Sequence, residues 1–320
     1  MKQYIIGIDV GGTNVRSGLF DGNMQCVCRH HFAMDQELEP DELIALLTNH
    51  AHELMEEAGV SQDQIRGVGA AFPSYIDYEK GVLLETSNIF PLNNVPIRSM
   101  LSDALQLPVW IDNNANTAAL AEHRMGAGRG YSSMVYATVA TGVGGGLILN
   151  GQLFRGMHGM AGEIGHMFVS DSTGYPCGCG VAGCVQSISS GTSMARYAMD
   201  RIKEGMESRI LDYAGTLSKI DMIAVGKALN DRDTLAMEVV SRGAEYLGRM
   251  FHSINLILDV NVFVYGGGVI KLGNEFVRRF IGAYRRYSLT ETRFPATFLK
   301  AELGDDTGII GAALLVPENA

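Results

Sequence analysis

Two stretches of the sequence, residues 4–20 and 133–149, share a pattern of an apolar run, a glycine turn and a second apolar run. The first turn reads Asp9-Val-Gly-Gly-Thr, and the second reads Thr141-Gly-Val-Gly-Gly-Gly. Because short apolar runs bounded by glycine are typical of strands, each stretch predicts a β-hairpin. The recurrence indicates a weak internal repeat, so the chain is expected to have two related halves.

The hydrophobic periodicity predicts that helices and strands alternate after each hairpin, as in an α/β protein. In the first half, strands are predicted at 4–10, 15–20, 24–32, 66–71 and 109–112, and helices at 41–58, 97–105 and 115–124. In the second half, strands are predicted at 133–141, 146–149, 260–265 and 297–301, and helices at 193–203, 232–258, 275–287 and 307–315.

The length of 320 residues is about twice that of a usual domain, which favours two domains or one large α/β unit. No stretch rich in proline or serine separates the halves, so compact segments must join them. We expect an N-terminal α/β domain of residues 1–115 plus 304–320 and a larger C-terminal α/β domain of residues 116–303.

The charge balance argues against polyanionic partners. With 25 basic and 35 acidic side chains, the formal net charge is −10, which does not attract nucleic acid or an anionic membrane. The first residues lack the features of a signal peptide, and the apolar stretch at 134–150 is too short and too rich in glycine to span a bilayer. We therefore expect a cytoplasmic protein with a small-molecule partner.

Glycine turns and cysteines are the features that suggest chemistry. Glycines between strands let backbone N–H groups approach phosphate oxygens, although a tight hairpin needing positive φ explains either turn equally well. Each turn is followed by a strand, so neither matches the strand-turn-helix fingerprint of dinucleotide binding, which disfavours a hydride-transfer enzyme. Three of the five cysteines, Cys177, Cys179 and Cys184, lie within eight residues, which favours a metal site over disulfides.

Seven motifs, in order along nearly the whole chain, resemble the ROK family of bacterial sugar kinases and repressors. They are DVGGTNVR at 9–16, IDNNANTAALAE at 111–122, TGVGGG at 141–146, GEIGH at 162–166, CGCGVAGC at 177–184, YGGGV at 265–269 and LGDDTGIIGAA at 303–313. The resemblance implies an α/β, two-domain, ribonuclease H-like (actin-like ATPase/hexokinase) fold whose interdomain cleft holds ATP and sugar. Repressor members carry an additional N-terminal DNA-binding module, and no such module is expected here.

The resemblance also implies a set of nucleotide-binding residues. Asp9 would position Mg²⁺ or its water shell, and the following turn would face the terminal phosphates. The implied ATP- and Mg²⁺-binding residues are Asp9, Gly11, Gly12, Thr13, Asn14, Thr141, Gly142, Gly144, Gly266, Gly267 and Gly268. Phosphoryl transfer depends mainly on positioning and charge neutralisation, so backbone and hydroxyl groups suffice on this side.

For the sugar and the metal, the resemblance again implies particular side chains. The sugar hydroxyls would contact Asn88, Asn113, Asn114, Glu163, His166 and Gln186. A structural Zn²⁺ would be bound by His166, Cys177, Cys179 and Cys184, because three thiolates and one imidazole complete a tetrahedron and leave no open position. Taken without the motif, Glu163 would more often be a solvated acid and each asparagine a cap or turn residue.

Two residues depart from the pattern of the family. The position of its catalytic base, normally Asp, is Asn114, and Gln186 occupies a position where most relatives have Glu. Asp112 does not replace the base easily, since neighbouring side chains on an extended segment point in different directions. The leading hypothesis is an ATP-dependent hexose kinase with reduced turnover, whether engineered or natural. The alternative is a non-catalytic sugar-binding protein that acts as a sensor or regulator.

The identity of the sugar stays open. The segment AAFPSYID at 70–77 is somewhat similar to the allose kinase branch, but glucose, mannose, fructose, allose and N-acetylmannosamine are all compatible with the sequence. Specificity depends on a few hydroxyl contacts whose geometry the sequence does not define. By analogy with the family, a homodimer is expected.

Overall fold

The computed structural model describes residues 3–86, 92–170 and 175–319. Among these residues the strands are β1 (Tyr4–Val10), β2 (Asn14–Phe20), β3 (Cys26–Ala33), β4 (Ile65–Phe72), β5 (Ser74–Asp77), β6 (Val82–Thr86), β7 (Val109–Asn113), β8 (Met134–Val139), β9 (Val143–Leu149), β10 (Gln152–Phe154), β11 (Val262–Gly266) and β12 (Thr297–Lys300). The helices are α1 (Pro40–Ala58), α2 (Ile97–Leu105), α3 (Asn114–Arg124), α4 (Gln186–Ser189), α5 (Gly191–Lys203), α6 (Arg209–Ala214), α7 (Met222–Asn230), α8 (Thr234–Leu258), α9 (Asn274–Tyr287) and α10 (Thr307–Ala313).

Two five-stranded sheets repeat one strand order. The first has the order β3-β2-β1-β4-β7 and the second the order β10-β9-β8-β11-β12, while β5 and β6 form a separate pair. In the first sheet β1 pairs antiparallel with β2 and parallel with β4, and in the second sheet β8 and β12 both lie parallel to β11. The repeat suggested by the two glycine hairpins is therefore present in the strand topology.

The chain divides into two compact units. The first contains residues 1–132, 146–162 and 301–320, and the second contains residues 133–145 and 163–300. The expected division placed residues 116–132, 146–162 and 301–303 with the C-terminal domain, whereas they belong to the first unit, where α3 packs against β4, β7 and α10. This packing explains why the unit boundary lies later in the chain than the sequence pattern suggested.

Glycines let α10 lie directly on the first sheet. A Cβ atom at Gly7 would lie 2.1 Å from the Ile309 carbonyl oxygen, and one at Gly69 would lie 1.8 Å from the Ala312 carbonyl oxygen. No other residue type permits such a close approach of backbones. The last helix is thereby fixed against the strands whose carboxyl ends carry the candidate site.

The second unit has an aromatic core. Phe251, on α8, contacts Phe263 on β11, Phe280 on α9 and Phe298 on β12, with ring centroids 5.0 to 5.7 Å apart. These separations suit edge-to-face and tilted aromatic packing. The long helices α8 and α9 are thus held on the face of the parallel strands. Within the described residues, no helix is long and apolar enough to cross a membrane.

Candidate functional site

The register of the first sheet brings polar residues to one edge. Asp9 at the end of β1 lies opposite Ala71 of β4, and Ala71 lies opposite Asp112 of β7. These three strands are parallel, so their carboxyl ends meet at the same edge, where α/β proteins commonly bind ligands. Asn113 and Asn114 follow directly, at the end of β7 and the start of α3.

The carboxylate of Asp9 has a defined environment. Its Oδ1 accepts a hydrogen bond from the Asn114 amide Nδ2 at 2.7 Å, and the same Nδ2 donates to the Val10 carbonyl at 2.9 Å. A Cβ atom at Gly308 would lie only 2.1 Å from Asp9 Oδ2, so glycine at this position of α10 makes room for the carboxylate. Asp9 is therefore clamped between the start of α3 and the start of α10.

Burial raises the pKa of Asp9 from 3.8 to about 6, although the Arg16 charge and the Asn114 hydrogen bond both act to lower it. The carboxylate is thus desolvated more than its neighbours compensate. A hard divalent cation would supply the missing compensation, and carboxylate oxygens are among the ligands that Mg²⁺ prefers. The donor chemistry at Asp9 fits the expected magnesium position.

Asn113 is the N-cap residue of α3. Its side-chain oxygen accepts from the Ala115 N–H at 2.8 Å, and its amide nitrogen donates to the Ser74 carbonyl at 3.0 Å. Capping is a common structural role of asparagine, and Asn113 has this role here. Each amide still has one further donor and acceptor position, so capping leaves Asn113 able to contact a ligand.

Asn114 lies at the position of the family's base. Its side-chain nitrogen donates hydrogen bonds to Asp9 and Val10, whereas its side-chain oxygen accepts none from the part of the chain that the structure describes. Its Oδ1 is buried and has no hydrogen-bond partner among the described residues. An amide oxygen accepts a hydrogen bond but does not take a proton at neutral pH. The geometry positions Asn114 to hold Asp9 and to accept a hydrogen bond, but not to act as a general base.

Asp112 does not replace the missing base. It is buried, and its Oδ2 is paired with Arg155 Nε at 2.6 Å. Its Oδ1 accepts from the Asn113 N–H at 2.8 Å and from Asn116 Nδ2 at 2.9 Å. The Arg155 guanidinium also lies 4.0 Å from the centroid of the Tyr78 ring. A carboxylate so fully paired is a structural anchor, in agreement with the expectation from strand geometry.

The two glycine turns are not explained by backbone strain. Gly11, Gly12, Gly142 and Gly144 all lack the positive φ that a tight hairpin would require. In the first turn the Gly11 N–H donates to the Asn14 carbonyl at 2.8 Å, and Asn14 Nδ2 donates to the Thr13 hydroxyl. Thr13 and Asn14 are exposed, which leaves the turn accessible. A Cβ atom at Gly11 would lie 3.0 Å from the Asn14 carbonyl oxygen, so the turn itself favours glycine there, while its exposed tip stays accessible to a ligand.

The turn of the second unit is held from behind by Gln186. Its Oε1 accepts from the Val143 N–H at 3.0 Å and would lie 2.7 Å from a Cβ at Gly142. The Gln186 Nε2 lies 3.8 Å from Cys177 Sγ, towards which it donates. Thr141 is exposed at the tip of the turn. Gln186 thus connects the cysteine cluster to the glycine turn, a role that the sequence did not indicate.

The third glycine cluster, Gly266–Gly268, is explained in part by the backbone conformation. Gly267 has a φ of 96°, and a Cβ atom there would lie 2.4 Å from the Val139 carbonyl oxygen. A Cβ atom at Gly268, in contrast, would meet no heavy atom within 4 Å. Gly267 is required by the backbone, while Gly268 leaves open space of the kind that the expected adenosine contact needs.

The ligand atoms of His166, Cys177, Cys179 and Cys184 all lie within 4.8 Å of one another. Cys179 Sγ and Cys184 Sγ are 3.7 Å apart, and Cys177 Sγ is 3.4 Å from His166 Nδ1. A disulfide requires about 2.05 Å, whereas tetrahedral zinc with Zn–S bonds of about 2.3 Å separates sulfurs by roughly 3.8 Å. The four side chains could therefore hold a zinc ion without rearrangement.

Glu163 and His166 lie side by side at a short 3-10 helix, Ile164–His166. Glu163 Oε2 is 4.0 Å from His166 Nε2, on the opposite side of the ring from the nitrogen that faces Cys177. Burial raises the pKa of Glu163 above its ordinary value. A partly desolvated carboxylate beside a metal-facing histidine is suited to accept hydrogen bonds from ligand hydroxyl groups.

Each unit thus gathers part of the predicted set. The first unit brings together Asp9, the turn after it, Asn113 and Asn114. The second unit brings together Gly142, Glu163, Gln186 and the thiolate cluster, which consists of His166, Cys177, Cys179 and Cys184. The predicted contact of Asn88 lies outside the described residues.

Sequence reasoning missed Arg155, Gly308 and Glu122. Glu122 is fully buried, and its carboxylate accepts from the backbone N–H groups of Ala127, Glu302 and Leu303. It therefore anchors the segment that leads to Gly308. Glu122 and Gly308 lie within the family motifs at 111–122 and 303–313, which was the available signal, whereas Arg155 lies outside all seven motifs.

Comparisons with known proteins identify relatives over the whole chain. The sequence model of the ROK family matches residues 5–319. A glucokinase of Halalkalibacterium halodurans is 34% identical over 99% of this chain and 96% of its own length. A xylose repressor of Caldicellulosiruptor bescii is 25% identical over 98% of this chain but 77% of its own length.

A solved structure provides the fold comparison. A ROK family glucokinase from Streptomyces griseus, in complex with glucose and AMPPNP, has a TM-score of 0.81 and 29% identity, covering 98% of this chain and 99% of that one. The family resemblance and the α/β, actin-like ATPase/hexokinase fold that it implied are both confirmed.

Proposed function

The chain belongs to the ROK family, and we propose that it is an ATP- and Mg²⁺-dependent hexose kinase whose turnover is reduced by the amide at Asn114. The observation that supports this proposal most is the arrangement at the edge of the first sheet. There a desolvated carboxylate, Asp9, precedes an accessible glycine turn and contacts the position of the family's base. Cation binding, phosphate contact and hydroxyl orientation could all be served by these groups.

Each group has a separate role in this proposal. Asp9 holds the cation, and the backbone of Gly11, Gly12 and Thr13 contacts the terminal phosphates. Bound Mg²⁺ would neutralise charge on the phosphate oxygens, which is its usual contribution to phosphoryl transfer. Arg16 contributes positive charge near Asp9.

The second unit would contribute the sugar and nucleotide contacts that its residues suit. Glu163 would accept hydrogen bonds from sugar hydroxyls, and His166 would donate to them. Gln186 would add an uncharged amide. Thr141, Gly142 and Gly144 would contact the phosphates, and Gly268 would leave room for adenosine. A zinc ion bound by the thiolate cluster would fix the segment carrying Glu163, so its role is structural.

The missing base determines the expected rate. A general base contributes typically a factor of about 10² to 10⁴, and the Asn114 amide does not supply it. Substrates would still be bound and oriented, because the hydroxyl contacts do not depend on proton transfer. The protein is therefore expected to bind ATP and a hexose but to turn over slowly.

Asn114→Asp tests this proposal. The new carboxylate cannot donate to Asp9, so it is free to take a proton from a hydroxyl group. We expect the rate of hexose phosphorylation to rise by at least about a hundredfold with little change in sugar KM. Two adjacent carboxylates repel each other, so one retains a proton at low pH and the variant's rate should increase with pH.

The matched control is Asn23→Asp, which introduces the same charge at the exposed turn between β2 and β3. Its phosphorylation rate should equal that of the parent. High activity of the parent itself, with Asn114 in place, would show that another group takes the proton. No gain in Asn114→Asp, despite binding of ATP and sugar, would contradict the kinase assignment.

The second candidate function is sugar binding without catalysis. The engagement of Asn114 with Asp9 favours it, since that contact is compatible with ligand binding and incompatible with base catalysis. A panel of glucose, mannose, fructose, allose and N-acetylmannosamine, assayed by thermal stabilisation with and without Mg²⁺ and ATP, separates the two. Stabilisation by a sugar alone, with no effect of nucleotide, would favour the binding protein. The expected homodimer stays a prediction.

A further inference from the structure

A second group of metal-binding side chains lies on the outer part of the first unit, away from the thiolate cluster in sequence. Strand β3 contributes His30, and helix α1 contributes His50, Glu53 and Glu57. One ligand atom from each of His30, His50 and Glu53 lies within 4.8 Å of the other two. Two imidazoles and one carboxylate form a donor set that suits zinc-class divalent ions.

A single oxygen lies between the two rings. Glu53 Oε2 is 2.7 Å from His50 Nδ1 and 3.7 Å from His30 Nδ1. The shorter distance is an ion-pair contact between residues one turn apart on α1, and His50 Nδ1 is buried. Two ring nitrogens and one carboxylate oxygen therefore converge within reach of a single ion.

The surroundings orient both rings. His30 Nε2 lies 2.7 Å from Glu57 Oε2, and a carboxylate at this distance favours the tautomer that carries its proton on Nε2. The lone pair of His30 Nδ1 is then directed towards Glu53. The His50 ring stacks on Phe32, with centroids 3.6 Å apart and an interplanar angle of 16°. A carboxylate behind a histidine ligand is a recurrent feature of metal sites.

We propose that His30, His50 and Glu53 bind one zinc-class divalent cation, with Glu57 as the residue that positions His30. Three protein ligands leave a coordination position for water. Because β3 is the edge strand of its sheet, the bound ion would connect that edge to α1. This site is independent of the proposed kinase function and of the thiolate cluster.

The experiment uses the full-length protein, saturated with Zn²⁺ and then desalted so that only tightly held zinc remains. Calorimetric titration with Zn²⁺ should then show that one additional equivalent of zinc binds reversibly. Titration with Co²⁺ should give an absorption spectrum without thiolate charge transfer, since these ligands are nitrogen and oxygen. Zinc should also slow amide hydrogen exchange in β3.

Variants on the same two elements provide the matched comparison. His30→Ala and His50→Ala should lose the additional equivalent, and Glu57→Gln should weaken it about 10- to 100-fold, the usual cost of removing such a partner. His31→Ala and His52→Ala change exposed neighbours on β3 and α1 and should bind like the parent. A parent that takes up no additional zinc, or His50→Ala that binds as tightly as the parent, would overturn the proposal.

Discussion

The two glycine turns occupy equivalent places in sheets of the same strand order, yet they are built differently. The turn after β1 is preceded by a carboxylate, Asp9, whose position depends on Asn114 and Gly308. The turn after β8 is preceded by no acid, and an amide, Gln186, supports its backbone while donating towards Cys177. A repeated hairpin therefore carries a charged group in one unit and only backbone and hydroxyl groups in the other.

The difference shows how one supersecondary unit can serve two purposes. A desolvated carboxylate requires a compensating charge, so the first turn is suited to a cation. The second turn has only backbone and hydroxyl groups of its own, and Gln186 supports it by accepting a hydrogen bond from the Val143 N–H. Altering the groups that hold each turn separates these two purposes.

The largest effect is expected from Cys179→Ser, which removes one of the four ligands behind the second turn. A structural zinc site contributes on the order of 10 kcal/mol in small zinc peptides, so losing it should destabilise this unit by several kcal/mol. Zinc that resists dialysis against a chelator should fall from one equivalent to near none, and the melting temperature should fall with it. Cys26→Ser, at an exposed thiol of β3, should change neither. Retained zinc in Cys179→Ser would exclude this site.

The second-largest effect is expected from Gly308→Ala, which places a methyl group against Asp9 beside the first turn. Because a Cβ there would lie 2.1 Å from the carboxylate, Asp9 must move, and misplacement of such a group by about 1 Å can cost about 10²-fold in rate. The effect should be measured in the Asn114→Asp background, where activity is high enough to quantify. The control is Gly22→Ala at the exposed turn between β2 and β3, where a Cβ would make only an ordinary 3.7 Å contact with the Gln3 carbonyl oxygen. Equal activities of the Gly308→Ala variant and its parent would show that Asp9 position is unimportant.

Asp9→Asn tests the charge of the first turn through stability. Burial raises the pKa of Asp9 to about 6, so the folded protein holds a proton that the unfolded chain releases near pH 4. The free energy of unfolding therefore decreases as the pH rises from about 4 to about 6, because Asp9 loses its proton in the folded protein. In metal-free protein Asp9→Asn should unfold at higher urea than the parent above pH 7, and the gap should close below pH 4. A gap that widens on acidification would contradict the sign.

The smallest effect is expected from Gln186→Glu, which introduces the carboxylate that the family resemblance implies at this position. The Val143 N–H keeps an acceptor, while the donor towards Cys177 is lost, so stability should change by less than about 1 kcal/mol. A charged acceptor makes stronger hydrogen bonds, so sugar KM should fall by up to about tenfold. Turnover should not recover, because the base is still absent. Steady-state kinetics on the preferred hexose distinguish KM from kcat, and a large gain in kcat would transfer the base role to residue 186.

The periodicity of the sequence predicted most elements closely, since apolar alternation and capping residues act locally. The helix at 97–105 matches α2, and the strand at 4–10 matches β1. The strands β5, β6 and β10 were missed; all three are short, and each pairs with its neighbour in the chain, β5 with β6 and β10 with β9. The helices α4, α6 and α7 were also missed, since short helices depend on tertiary packing more than on their own pattern.

The sequence alone determined the two hairpins, the family pattern, the cysteine cluster and the absence of an acid at position 114, because each is a property of neighbouring residues. Only the tertiary structure decided that Asn114 holds Asp9, that Asp112 is neutralised by Arg155, and that Gln186 supports the second turn. These contacts join residues far apart in the chain. Burial, hydrogen bonding and charge compensation arise only when folding brings such groups within a few ångströms, so local pattern does not reveal them.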